Sequence, residues 1–162
     1  MAMGVAANES FLWIAGGITN ENDSISILDT VWCYDKRFGR WSKTSNLPYA
    51  VAFPSLLISQ KQIVCLGGAS KPPNVEKNEL ESTADVFCYE NGRWQELIQM
   101  PKPCHSVIGC ISGGNIFLLG GFSTQTMSQI CEPYQYRSKD NRWGRLSPFP
   151  EEAAGFIVAA TT

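Results

Sequence analysis

Histidine, charge and long apolar runs are scarce in this sequence, and each scarcity removes a class of function. A single histidine, His105, stands among 162 residues, so no site that needs two imidazoles can be assembled. Charged residues make up 17%, and 13 Lys and Arg against 15 Asp and Glu leave a formal net charge of -2. Without a basic excess there is little to hold phosphates, which argues against nucleic acid and against membrane surfaces as partners. No apolar stretch approaches the roughly 18 residues of a membrane helix. The run from Phe11 to Gly17 has neither a basic leader nor a cleavage site. The patterns GxSxG, HExxH and GxxxxGKS are missing, and no two cysteines stand in a CxxC pair, so neither a nucleophile elbow nor a zinc or phosphate loop is expected. These absences favour a chain that is not an enzyme and carries no cofactor and no metal. With no secretory signal, the six cysteines at positions 33, 65, 88, 104, 110 and 131 are read as reduced, buried thiols in a cytoplasmic or nuclear setting.

What is present is a repeat. Apolar runs end in glycine doublets at Gly16 and Gly17, Gly67 and Gly68, and Gly120 and Gly121, in steps of 51 and 53 residues. Each doublet is followed by a tyrosine (Tyr34, Tyr89, Tyr136) and then, five or seven residues later, by a tryptophan (Trp41, Trp94, Trp143). An arginine precedes each tryptophan, and a proline follows it by seven residues, at Pro48, Pro101 and Pro150. Markers that keep register three times over define a structural unit of about 50 residues. Between them lie short β-branched and aromatic runs bounded by turn residues, with no helical period. The unit therefore reads as four strands. Strand A follows the proline, B runs into the glycines, C ends at the tyrosine and D carries the tryptophan. Cys33 and Cys88 precede the repeat tyrosine on strand C and are expected to be small buried hydrophobes. The longest connections join B to C, at Ile18 to Leu28, Ala69 to Ser82 and Phe122 to Gln129, and are expected to be loops of variable length on a fixed framework.

These markers resemble the kelch repeat, over essentially the whole chain. The resemblance implies an all-β fold in which each repeat is one four-stranded antiparallel blade of a β-propeller. Blades are expected at about residues 1–50, 51–103 and 104–150, with residues 151–162 as the first strand of a further blade. The glycine doublets, tyrosines and tryptophans named above are then the structural anchors, with the three tryptophans equivalent and buried. Propellers close at roughly four to eight blades, so this is a partial ring with two apolar faces uncovered. A fragment of a longer product or a half-propeller that pairs with a second copy is expected, and the chain alone should self-associate. The copper oxidases among kelch propellers need paired histidines, which a lone His105 does not provide.

The same resemblance implies a non-enzymatic protein-interaction module. It points to the substrate-recognition part of a kelch-like adaptor, joined to a cullin-type ubiquitin ligase through BTB and BACK domains that these residues do not include. The alternative is an actin-associated or other cytoskeletal scaffold. A protein or peptide ligand is expected at the propeller mouth, where B to C loops and D to A links converge. The candidates are Thr19 and Asn20, with Glu21 and Asn22; Lys71, with Pro72, Pro73 and Asn74; Ser123, with Thr124 and Gln125; Tyr49, Lys102 and His105 at strand A starts; and Thr30, Asp85 and Glu132 where strand C begins. Arginines that many kelch repeats carry at strand A starts are replaced by Val51, Cys104 and Ala153. Together with Asp85 and Glu132, their absence suggests a ligand bearing Lys or Arg.

Overall fold

Each repeat folds as one antiparallel sheet, because its β-branched and aromatic runs are short and a turn interrupts them before a helix could start. The computed structural model describes residues 2–21, 24–59, 62–72 and 79–150. The expected first strand of a further blade, residues 151–162, lies outside the described residues. In the first blade β1 (Gly4–Ala7), β2 (Phe11–Ala15), a hairpin of β3 (Ile18–Glu21) and β4 (Ser24–Ile27), β5 (Val31–Asp35) and β6 (Arg40–Lys43) follow in order. The second blade has β7 (Ser55–Ile58), β8 (Ile63–Leu66), the short pair β9 (Ala69–Ser70) and β10 (Glu81–Ser82), β11 (Val86–Glu90) and β12 (Arg93–Leu97). The third has β13 (His105–Ser112), β14 (Asn115–Ser123), β15 (Ser128–Ile130), β16 (Tyr134–Arg137) and β17 (Arg142–Arg145). The sheets run β1-β2-β5-β6, β7-β8-β11-β12 and β13-β14-β16-β17, so strands A to D lie side by side in sequence order.

The B to C connections are not loops throughout. β3 pairs with β4, β9 with β10, and β15 with the end of β14, so each connection carries antiparallel pairing of its own. In the first blade the reason is legible: Ile18, Ile25 and Ile27 supply β-branched residues on both arms of the hairpin.

Two apolar layers join the blades. Trp13, Ala15, Val31 and Cys33 of the first blade pack with Leu56, Ile63, Cys65 and Phe87 of the second. Val64, Leu66, Val86 and Cys88, from the other face of the second blade, pack with Val107, Ile116, Leu118 and Tyr136 of the third. All four residues of β8 are buried, which is why its sequence IVCL reads as a continuous apolar run rather than an alternation.

The glycine doublets stitch neighbouring blades. Gly17 N donates to Val51 O at 2.8 Å, and Gly68 N donates to Cys104 O at 3.1 Å. Each acceptor stands three residues after a repeat proline. Gly67 has φ +51°, and a Cβ there would overlap the carbonyl of Cys104, so backbone approach rather than flexibility demands glycine at this position. The third doublet is different. Gly120 and Gly121 lie within the continuous strand β14, without positive φ; the residue matching Val51 and Cys104 is Ala153, outside the described residues.

The tryptophans are not equivalent either. Trp94 Nε1 donates to Ser45 O at 3.1 Å and Trp143 Nε1 to Ile98 O at 3.2 Å, both times crossing to the preceding blade. Trp41 is 46% exposed, and no described residue offers it the matching carbonyl. The expectation of three equivalent, buried anchors is corrected: Trp94 and Trp143 are half-buried, and Trp41 is exposed on the face of the first blade turned away from the second.

Candidate functional site

Strand order decides which residues can meet. With A, B, C and D antiparallel in sequence, the B to C hairpins and D to A links share one end of every blade, and the A to B and C to D turns share the other. At the first end a cavity of about 640 Å³ opens between the first and second blades, lined by Ile25, Ser26 and Ile27 of β4, Tyr49 and Ala50 of the D to A link, Ser70 of β9, Lys71 and Asp85.

Its polar wall is fixed. Tyr49 Oη donates to Asp85 Oδ2 at 2.5 Å, and Gln99 Nε2 donates to Asp85 Oδ1 at 2.7 Å. Burial first, and then the bond to Asp85, pushes the Tyr49 hydroxyl far above its ordinary pKa of 10, so it stays a donor. The ring meets Phe87 edge-on, 5.8 Å between centroids. Opposite, Ile25 is 66% exposed, an apolar side chain beside a polar wall.

The same contact recurs one blade on. Tyr49 and Lys102 each follow a repeat proline, and Asp85 and Glu132 each stand four residues before a repeat tyrosine. Lys102 Nζ lies 2.7 Å from Glu132 Oε2, Arg145 approaches at 3.3 Å, and Tyr134 Oη donates to Glu132 at 2.7 Å. The Lys102 bond, and then that from Tyr134, holds the Glu132 carboxyl below its ordinary pKa of 4.5. Hydrogen bonding to Glu132 raises Lys102 in turn.

A third group joins the hairpins of the second and third blades. Ser82 Oγ lies 2.9 Å from His105 Nδ1 and accepts from Thr124 N at 3.0 Å, while Gln125 Nε2 donates to Ser82 O at 2.9 Å. Phe53 and Phe122 flank the imidazole at 5.6 and 5.4 Å, and burial lowers its pKa below 6.5.

Of the ten candidates from sequence, the structure brings Tyr49, Lys71 and Asp85 together at the cavity. Lys102 and Glu132 form the equivalent pair one blade on. His105 packs in the network around Ser82, and Ser123 is buried, with Oγ donating to Gln125 Oε1 at 3.0 Å. Thr19 is half-buried and Asn20 exposed on β3, and neither lines the cavity. Thr30 is half-buried and its carbonyl accepts from Gly16 N. Asn22, Pro73 and Asn74 lie outside the described residues. Ile25, Ser26, Ile27, Ala50 and Ser70 were not anticipated; the alternation Ile25, Ser26, Ile27 was the available signal for a strand presenting apolar side chains there.

The expected preference for a basic ligand loses its footing. Asp85 and Glu132 already hold partners across the blade boundary, and the cavity lining carries one cation, Lys71, against one anion. The thiols also need one correction. None of the six cysteines is paired, and Cys33, Cys65, Cys88 and Cys104 are buried, but Cys110 is half-buried and Cys131 exposed. Among the described residues no group of three or more His, Cys, Asp or Glu side chains gathers as a metal site, and no helix is long and apolar enough to cross a membrane.

Comparison with known proteins agrees with this geometry. The family model described as Kelch motif matches residues 3–48, which hold the first blade. Kelch-like protein 41b of Danio rerio is 27% identical over 91% of this chain and 23% of its own length. Kelch-like protein 40 of Mus musculus is 28% identical over 92% of this chain and 23% of its own. Alpha-scruin of Limulus polyphemus is 27% identical over 99% of this chain and 18% of its own. The chain thus spans under a quarter of each of these relatives. A solved structure titled "Structure of YjhT" superposes with a TM-score of 0.73 at 12% identity, over 93% of this chain and 52% of that one. Repeat markers, four-stranded sheets, shared seams and these similarities lead to one assignment: the chain is built of blades of the β-propeller fold, the first of which matches the Kelch motif.

Proposed function

We propose that this chain is a non-enzymatic protein-binding module that takes a peptide segment of its partner into the cavity between the first and second blades. The observation that carries this reading is the juxtaposition of exposed Ile25 with the fixed polar wall of Tyr49 and Asp85 across about 640 Å³. Concave sites that combine apolar lining with a few convergent polar groups are where ligands bury most surface. A peptide with one aliphatic or aromatic anchor flanked by polar groups fits that lining. Ser26 and Ser70 offer its backbone and side chains hydrogen bonds.

Within this class we favour the substrate-recognition part of a kelch-like adaptor for a cullin-type ubiquitin ligase, in the cytoplasm or nucleus. The similarity to kelch-like proteins 40 and 41b supports it. A cytoskeletal scaffold is the second reading, supported by the similarity to alpha-scruin.

The experiment is selection of a random peptide display library on the 162-residue chain. Binders should be lost on Ala50→Trp, which fills the cavity, and kept on Lys139→Glu, in the C to D turn of the third blade. Enriched peptides indifferent to Ala50→Trp would remove the cavity from the account. Co-sedimentation with actin filaments that Ala50→Trp leaves intact would favour the scaffold.

A further inference from the structure

The first blade carries a receiving surface that the described chain does not fill. Strand pairing sets Tyr34 opposite Trp41 and Leu12, and Trp32 opposite Lys43 and Ile14, with Val5 opposite Ile14. All these side chains share the face turned away from the second blade. At the same repeat positions the second blade has Tyr89, Trp94, Ile63, Phe87 and Cys65, and there they pack against the first blade. Phe87 is 9% exposed, whereas its counterpart Trp32 is 38% exposed and the neighbours Trp41 and Val5 are 46% and 54% exposed; Ile63 is buried where its counterpart Leu12 is half-buried. The surface is already formed. Tyr34 and Trp41 stack at 5.1 Å, against 5.2 Å for Tyr89 and Trp94 and 5.5 Å for Tyr136 and Trp143.

The complementary surface is on the third blade. Phe117 and Leu119 stand three and one residues before a glycine doublet, as do Trp13 and Ala15 in the first blade and Val64 and Leu66 in the second. Those four are buried under the following blade, but Phe117 and Leu119 are only half-buried. The carbonyls that receive Trp94 and Trp143 belong to Ser45 and Ile98, each four residues after the preceding repeat tryptophan. Four residues after Trp143 stands Ser147, exposed.

We propose that two copies of this chain associate head to tail, the back of the third blade in each seating on the first blade of the other. The Trp41 indole N–H of one copy donates to the Ser147 carbonyl of the second copy. The contact continues a seam that the chain itself makes twice, and two such contacts related by a two-fold axis close a ring. Six blades fall within the range at which propellers close. The solved structure of the same fold, which this chain covers to 52%, has the length of about two such halves.

The test is sedimentation equilibrium of the full chain at micromolar concentration. The expected mass levels at twice 17.9 kDa. Trp41→Glu should weaken the dimer about thirtyfold or more while the β circular dichroism spectrum is kept, and Phe117→Lys should do the same from the other face. Mixing these two variants should restore a pair, because one of its two contacts is then intact; a front-to-front dimer would show no such rescue. A wild-type monomer, a mass that climbs without levelling at two copies, or a Trp41→Glu chain that still dimerises would each overturn the proposal. Should either variant fail to fold, cross-links between copies of the wild-type chain decide the matter. Links joining the β6 region to the β17 region support it, and links joining β6 to β6 reject it.

Discussion

Trp94 and Trp143 each reach across a blade boundary to a backbone carbonyl, while among the described residues Trp41 meets the Tyr34 ring of its own sheet. Replacing Trp94 or Trp143 by Ala removes packing and an indole bond and should cost about 2–4 kcal/mol in denaturant melts. Trp41→Ala, measured in chain dilute enough to be monomeric, should cost under about 1 kcal/mol. Equal losses at all three positions would mean that Trp41 has a neighbour within the chain. His105 gives a pH test. Burial disfavours its imidazolium, so its folded pKa lies below 6.5 and the unfolded chain binds the proton more readily. Stability is therefore fully present above 6.5 and falls as pH drops through the folded value. The Glu132 carboxyl, held below 4.5, adds a second loss at lower pH. His105→Phe should flatten the first part of the profile and leave the second. Thiol labelling checks the cysteines: burial raises Cys65 to about 12 and Cys104 to about 11, so these two should react only on unfolding. Exposed Cys131 should react at once. Fast labelling of Cys65 in native chain would contradict the packed layer between the first two blades.

The four-stranded sheets were legible because their markers sit on or beside the strands themselves: the doublet closes strand B in the first two blades and lies within it in the third, the tyrosine lies on C, and the tryptophan on D. The hairpins were not, since β9 and β10 contribute two residues each, too few for alternation to register. Nor does sequence identity carry conformation. Gly67 and Gly120 occupy the same repeat position, yet only Gly67 is left-handed and pressed on the next blade. Gly67→Ala should cost at least about 2 kcal/mol, from the left-handed penalty and the contact with Cys104. Gly120→Ala should cost less, about 1 kcal/mol, because its φ is ordinary and an added Cβ would press only on the Ile130 carbonyl, at 3.1 Å. Matched melting curves for the two variants would show that the doublets are interchangeable after all.

Blades joined face to face form a stack in which each boundary repeats three devices. A doublet amide reaches the next backbone, an indole reaches the previous one, and a residue after the proline meets an acid at the start of strand C. The last device explains why the site was only partly readable. Asp85 and Glu132 look like free charges in sequence, and only the strand order shows Tyr49 and Lys102 beside them. Reversing those charges would loosen the seam and report on folding rather than on a ligand. The cavity is what the seam leaves open, between a hairpin of one blade and a link and hairpin of its neighbours. Hydrogen exchange on the chain, with and without a peptide selected from the display library, tests this most directly. The account expects new protection at Ile25–Ile27, Tyr49–Ala50 and Ser70–Lys71; protection confined to the turns at Asn91–Gly92 and Gly113–Gly114, at the opposite end of the strands, would contradict it.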